Sequence, residues 1–86
     1  MPRYRILIKP SAVKEIEGIT SKRERQHIVN RINKLADNPR PPGSDKLSSQ
    51  EKYRIRQGQY RIIYSIVDKD LVVYVVKVGH RKDVYR

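Results

Sequence analysis

Arg54, Arg56 and Arg61 are the side chains of this sequence best placed to do chemistry, and the chemistry is recognition of a polyanion. They lie in Tyr53-Arg54-Ile55-Arg56-Gln57-Gly58-Gln59-Tyr60-Arg61-Ile62-Ile63-Tyr64, which reads as a β-hairpin turning at Gly58-Gln59. A two-residue turn sets Gln57 opposite Tyr60, Arg56 opposite Arg61, Ile55 opposite Ile62 and Tyr53 opposite Tyr64. Alternation then gives a core face of Tyr53, Ile55, Tyr60, Ile62 and Tyr64, and a second face of Arg54, Arg56 and Arg61. Like charges directly opposed destabilise a sheet. Folding alone gives no reason to set Arg56 against Arg61, whereas a bound anion does. Plain solubilisation of an open sheet face is the competing reading.

The next turn, Asp68-Lys69-Asp70, extends the argument. A two-residue turn at Lys69-Asp70 pairs Ile62 with Lys77 and buries the lysine. A three-residue turn pairs Val67 with Leu71, Ile63 with Val75 and Arg61 with Lys77, and it keeps the apolar residues together, which is what normally selects a register. Lys77, Gly79 and Arg81 then continue the arginine face, so Arg54, Arg56, Arg61, Lys77 and Arg81 converge. Ile63, Val73 and Val75 form an apolar strip on that face, open if the helices pack on the other, and such a strip marks a partner site.

A cation cluster with no carboxylate pair, metal-ligand spacing or cysteine nucleophile beside it suits a substrate that brings several negative charges. RNA fits better than DNA, because its 2′-OH is a built-in nucleophile. The protein need only align that hydroxyl with its phosphate, neutralise the developing charge and assist two proton transfers. Arginine serves the charge through bidentate donors. For the proton, Tyr85 is the candidate: its ordinary pKa of ~10 falls beside flanking cations. Packing on the sheet edge is its alternative role. His80 has the better intrinsic pKa, but alternation directs it to the other face. His27 falls within a helix and reads as a surface residue.

The elements that must position these groups are legible too. Residues 4–9 alternate as a first strand. Pro10-Ser11 opens a short helix, with Ser11 as the expected N-cap and Gly18 as its end. Ser21 and Glu24 have capping-box spacing. A longer helix follows, with Ile28, Ile32, Leu35 and Ala36 inward and Lys22, Arg23, Arg25, Gln26, Arg31 and Lys34 outward. Asn38-Pro39-Arg40-Pro41-Pro42-Gly43 must be loop, and residues 45–48 read as a short strand before the long ones. The expected fold is α+β, in the order β-α-α-β-β-β, with two N-terminal helices on one face of a mostly antiparallel, curved sheet. One domain spans residues 1–86. A formal net charge of +11 on 86 residues points to phosphate backbones or an acidic protein partner. The absence of cysteine excludes disulfides and thiolate metal sites. No apolar leader follows Met1, and the apolar run at 71–76 is far too short to span a bilayer. A soluble, cytoplasmic protein is expected, with no membrane partner.

Gly58-Gln59-Tyr60-Arg61-Ile62-Ile63-Tyr64, followed by a strand ending Val78-Gly79-His80-Arg81-Lys82-Asp83-Val84-Tyr85, resembles the RelE toxins of the RelE/ParE superfamily. The resemblance covers essentially the whole chain. It implies a toxin of a type II toxin–antitoxin module that cuts messenger RNA at the ribosomal A site without a metal or other cofactor. It also implies a RelB-like antitoxin that holds the toxin inactive and carries the complex to operator DNA. Residue by residue, it puts phosphate and transition-state contacts at Arg61 and Arg81, and the proton-transfer or stacking tyrosine at Tyr85. Arg54 and Arg56 stand where well-studied RelE toxins have lysines. Arginine is effectively never deprotonated, so neither can be the general base. Tyr85 must do more, or Lys52 or Lys77 must substitute. Two further readings stay open: a ParE-like inhibitor of DNA gyrase without nuclease chemistry, and a non-catalytic basic module that binds RNA or the ribosome.

Overall fold

The computed structural model describes residues 3–47 and 51–80. Strand β1 (Arg5–Ile8) leads into helices α1 (Pro10–Glu17) and α2 (Lys22–Lys34), followed by β2 (Asp45–Lys46), β3 (Lys52–Gln57), β4 (Tyr60–Val67) and β5 (Val72–His80). The strands form one open sheet in the order β1-β5-β4-β3-β2. Among the described residues only the β1/β5 pair is parallel. The α+β fold expected from the sequence is the one observed, with β2 as a short edge strand.

Local sequence explains the helices. Pro10 sits in the first turn of α1, where its missing N–H costs nothing. The N-cap is therefore Lys9 rather than the expected Ser11, and no side chain caps it. In α2 the cap is as expected: Ser21 Oγ accepts the Glu24 N–H at 3.2 Å. Arg25 donates to the Ile19 and Thr20 carbonyls, which fixes the link between the helices. Ala12, Ile16, Ile28, Ile32 and Leu35 pack on Ile55, Ile62, Tyr64, Val73, Val75 and Val78 of the sheet, with Tyr53 and Tyr60 half-buried at the margin.

The β4–β5 register corrects the sequence expectation. Val67 pairs with Val72, so the loop is residues 68–71, a 3₁₀ turn closed by Leu71 at φ 55°. Tyr64 pairs with Val75, which puts Val73 and Val75 on the core face, both fully buried. Continued unbroken, this register would set Ile62 against Lys77. A bulge beside Ile63 and Tyr64 leaves Val76 unmatched instead, and Ile62 meets Val78. The three-residue turn failed as an expectation because the bulge removes the penalty that argued for it.

Two side-chain contacts tie the scaffold together. β1 ends at Ile8, opposite Val75, so β5 runs on beyond it with an uncovered edge. Glu15 of α1 covers that edge: Oε1 accepts the Val78 N–H at 2.9 Å and Oε2 pairs with Lys77 Nζ at 3.1 Å. On the loop after α2, Arg40 grips Asp68 through two hydrogen bonds of 2.9 and 3.2 Å and donates to the Tyr53 hydroxyl at 3.1 Å. The Tyr4 hydroxyl donates to Asp68 at 2.6 Å. Tyr64, stacked on Tyr53, donates to the Pro39 carbonyl at 2.7 Å, and burial pushes its phenol up to about 12.

The Arg40 and Tyr4 hydrogen bonds hold the Asp68 carboxyl down at about 2, against an ordinary 3.8. Its ionised form thus favours the fold. The contribution is complete above the ordinary value and disappears as pH falls through about 2. Asp68→Asn should flatten the loss of thermal stability across this acid window, followed by circular dichroism; a wild-type slope would exclude the network as its source. For Glu15, Glu15→Ala should speed hydrogen exchange at the Val78 amide roughly tenfold. Glu15→Gln, which keeps an acceptor, should retain most of the protection. Equal exchange in all three proteins would show that the edge is closed by something else.

Candidate functional site

Gly58 begins the turn between β3 and β4 with φ 60°, the positive φ that a two-residue turn with glycine at its first central position requires. A Cβ there would meet nothing within 4 Å. Backbone conformation, not space, calls for glycine. The turn fixes the register: Arg56 opposite Arg61, Arg54 opposite Ile63 and Lys52 opposite Ser65. Alternation puts Lys52, Arg54, Arg56 and Arg61 on the face away from the helices, as the sequence indicates.

Arg61 is the centre of this face, and it is only 5% exposed. Gly79 lies opposite it on β5 and brings no side chain to compete for the space. Arg54 pairs with Asp45 at 3.2 Å, a carboxylate that β2 delivers by pairing with β3. Arg56 is exposed. The three guanidinium groups, with Asp45 and Gly43, line a cleft of about 60 Å³. That is room for a small anion such as a phosphate group. The lining holds one carboxylate against three cations, so the cleft favours an anion. Guanidinium does not lose its proton near neutrality, so these residues can bind and stabilise charge but cannot act as a base.

The other residues singled out from the sequence divide. Lys52 is half-buried at the start of β3. Lys77 stands opposite Ile63, but its ammonium is engaged by Glu15 and does not line the arginine cleft. Ile63 is half-buried on the arginine face; Val73 and Val75 lie beneath the helices, so the apolar strip expected for an antitoxin is not formed by these residues. His80 faces Tyr60 with the rings edge-to-face at 5.7 Å. That is the core-side placement alternation required. His27 is exposed on α2. Arg81 and Tyr85 lie outside the described residues. Sequence reasoning missed Asp45, Gly43 and Glu15 as site and scaffold groups. A two-residue β2 offers no periodicity to find Asp45, and nothing local to α1 marks Glu15 as the partner of Val78. Among the described residues no group of three or more His, Asp or Glu side chains could hold a metal ion.

A protein-family model, the ParE toxin of the type II toxin–antitoxin system parDE, matches residues 6–85. A RelE-like toxin protein of Escherichia coli is 31% identical over 87 aligned residues, covering 96% of this chain and 90% of that protein. Among solved structures, the archaeal RelE–RelB complex from Pyrococcus horikoshii contains a chain 29% identical with TM-score 0.83, covering 94% of this chain and 98% of its own. The RelBE2 toxin–antitoxin complex from Mycobacterium tuberculosis matches in fold, with TM-score 0.83 at 23% identity over 96% and 97% of the two chains. Sequence shared over nearly the whole length, joined to the shared arrangement of helices and sheet, shows that this chain belongs to the RelE/ParE superfamily of type II toxin–antitoxin toxins.

Proposed function

We propose that this toxin is an endoribonuclease of the RelE kind, cutting messenger RNA in the ribosomal A site through attack of the RNA's own 2′-OH, without a resident metal. One observation carries the reading: Arg61, buried on an open sheet face, with Arg54 and Arg56 around a phosphate-sized cleft. A scissile phosphate in this cleft gains charge as the 2′-oxygen attacks, and fixed guanidinium groups stabilise that charge without having to reorganise. Arg81 adds a further cation from the segment after β5. Proton transfer falls to Tyr85, since the arginines cannot supply a base. Lys52 and the remaining cations hold the flanking backbone. Lys77 is the weaker substitute base, because its ammonium is committed to Glu15.

The solved relatives from Pyrococcus horikoshii and Mycobacterium tuberculosis are toxin–antitoxin complexes. The first of these, at 29% identity, supports a cognate RelB-like antitoxin for this chain. In the proposal that antitoxin neutralises it in the cytoplasm and makes any contact with operator DNA. Of the antitoxin surface expected from the sequence, Ile63 stays on the arginine face and remains in the proposal. The matching ParE family model favours one rival, a gyrase inhibitor without nuclease activity. The arginine cleft speaks for RNA.

Purified toxin mixed with ribosomes on a defined messenger, with cuts mapped by primer extension, tests the reading; a gyrase supercoiling assay run in parallel tests the rival. Arg61→Ala should lower single-turnover cleavage roughly 10²–10³-fold, the loss typical of one charge-stabilising donor. Because Arg61 is buried, Arg61→Met is the second variant: it keeps the packing of the stem and should melt like the wild type while cleaving as poorly. Wild-type cleavage by a folded Arg61→Met protein would remove Arg61 from the site. Tyr85→Phe should cost activity if the hydroxyl transfers a proton. If the ring only stacks on a base, Phe is tolerated and Ala is not. Full activity in both would take Tyr85 out of the mechanism.

A further inference from the structure

α2 presents a second cationic surface. His27, Asn30, Arg31 and Lys34 recur at i, i+3, i+4 and i+7, which makes them one stripe. With Gln57 at the end of β3 they line a groove of about 270 Å³. Every residue lining it is polar or cationic. Several cations elsewhere are engaged: Arg25 with the helix link, Arg40 with Asp68, Arg54 with Asp45 and Lys77 with Glu15. Among the described residues neither Arg31 nor Lys34 enters an ion pair. The stripe also joins the arginine cleft. Arg31 Nη2 lies 3.9 Å from where a Cβ on Gly43 would stand, and Gly43 lines that cleft.

We propose that this α2 stripe is a docking track for the phosphate backbone of double-helical RNA, distinct from the cleft that takes the scissile phosphate and continuous with it. The proposal rests on the RNA reading above. Residues 27–34 cover roughly 10 Å of helix axis, enough for more than one phosphate at ~3.4 Å of axial rise per strand. The residue types decide the partner. An acidic protein would need apolar anchors at the centre of its contact, and the groove has none. Val29, the exposed apolar residue of α2, lines a different groove with Ile16, Lys22 and Arg25. Unpaired bases would need successive aromatic rings on which to stack; the groove offers only the ring of His27 among Asn30, Arg31, Lys34 and Gln57. Backbone recognition by shape and charge is what remains, which is how proteins engage duplex RNA.

Fluorescence anisotropy with a blunt RNA duplex of about 16 bp, titrated across salt concentrations, tests this. Lys34→Gln should make the log–log salt dependence shallower by about 1, and Arg31→Gln/Lys34→Gln by about 2. Lys69→Gln, an equal loss of charge in the β4–β5 loop, should leave the slope unchanged. Lys34 is exposed, so the single variant carries the test if the double one does not fold. Wild-type slopes in the Lys34→Gln protein, or an equal change in Lys69→Gln, would overturn the track. Stripe-dependent binding of polyglutamate with none of the duplex would overturn it in favour of a protein partner. Duplex binding is read independently of cleavage. A chain that binds duplex through the stripe but cuts no messenger upholds the track and sinks the nuclease; cleavage with unaltered slopes does the reverse.

Discussion

The rest of the molecule depends on how β5 breaks its own alternation. The core requires Val73, Val75 and Val78 on one face, and a regular strand cannot present 75 and 78 together. The unmatched Val76 supplies the missing half-period. Val73 and Val75 then meet Ile66 and Tyr64, while Val78 meets Ile62. The same step decides the opposite face, because it brings Gly79 rather than a side chain over against Arg61. Without it, either a lysine would lie beneath the helices or a valine would crowd the arginines. Core and cleft are two results of one bulge.

Charge is distributed with similar economy. Arg3 with Asp37, Arg40 with Asp68, Lys46 with Glu51, Arg54 with Asp45 and Lys77 with Glu15 form ion pairs that join separate elements. Exposed pairs of this kind each contribute little to stability. Their effect is to direct loops and strand ends: Asp45 orients Arg54 at the cleft, and Glu15 holds the end of β5 against α1. Among the described residues Arg31, Lys34 and Arg56 enter none of these pairs, and they lie on the surfaces argued to meet RNA. A net charge of +11 is therefore not a uniform coat.

How much of this is legible in the sequence follows from how local each cause is. The β3–β4 hairpin is closed by two residues, so Gly58 and alternation alone place Arg56 against Arg61 and mark Ile55, Ile62 and Tyr64 as core. The Ser21 cap of α2 is equally local. Pro10 displaced the expected Ser11 cap because a proline fits the first turn so well, a rule available in the sequence but outweighed there by the serine. The β4–β5 pairing was misread because its bulge answers a demand of the assembled core, to bury Val78 and keep Lys77 out, and that demand has no local spelling. Asp45 and Glu15 contribute through contacts with strands far along the chain, beyond the reach of periodicity.

The sheet order has a kinetic corollary. β1 touches one strand, β5, and Arg5 must await Val72 before it can pair. Closing so long a loop costs entropy before any contact repays it. As the chain emerges during synthesis, β1 and both helices come first and have no surface to cover. The β3–β4 hairpin forms next and can close by itself, yet it presses Arg56 against Arg61 before any core offsets their repulsion. Completion of the fold is thus gated by β5, and the polypeptide spends its synthesis in states that lack the assembled sheet. A toxin with this topology acquires its fold late and cooperatively.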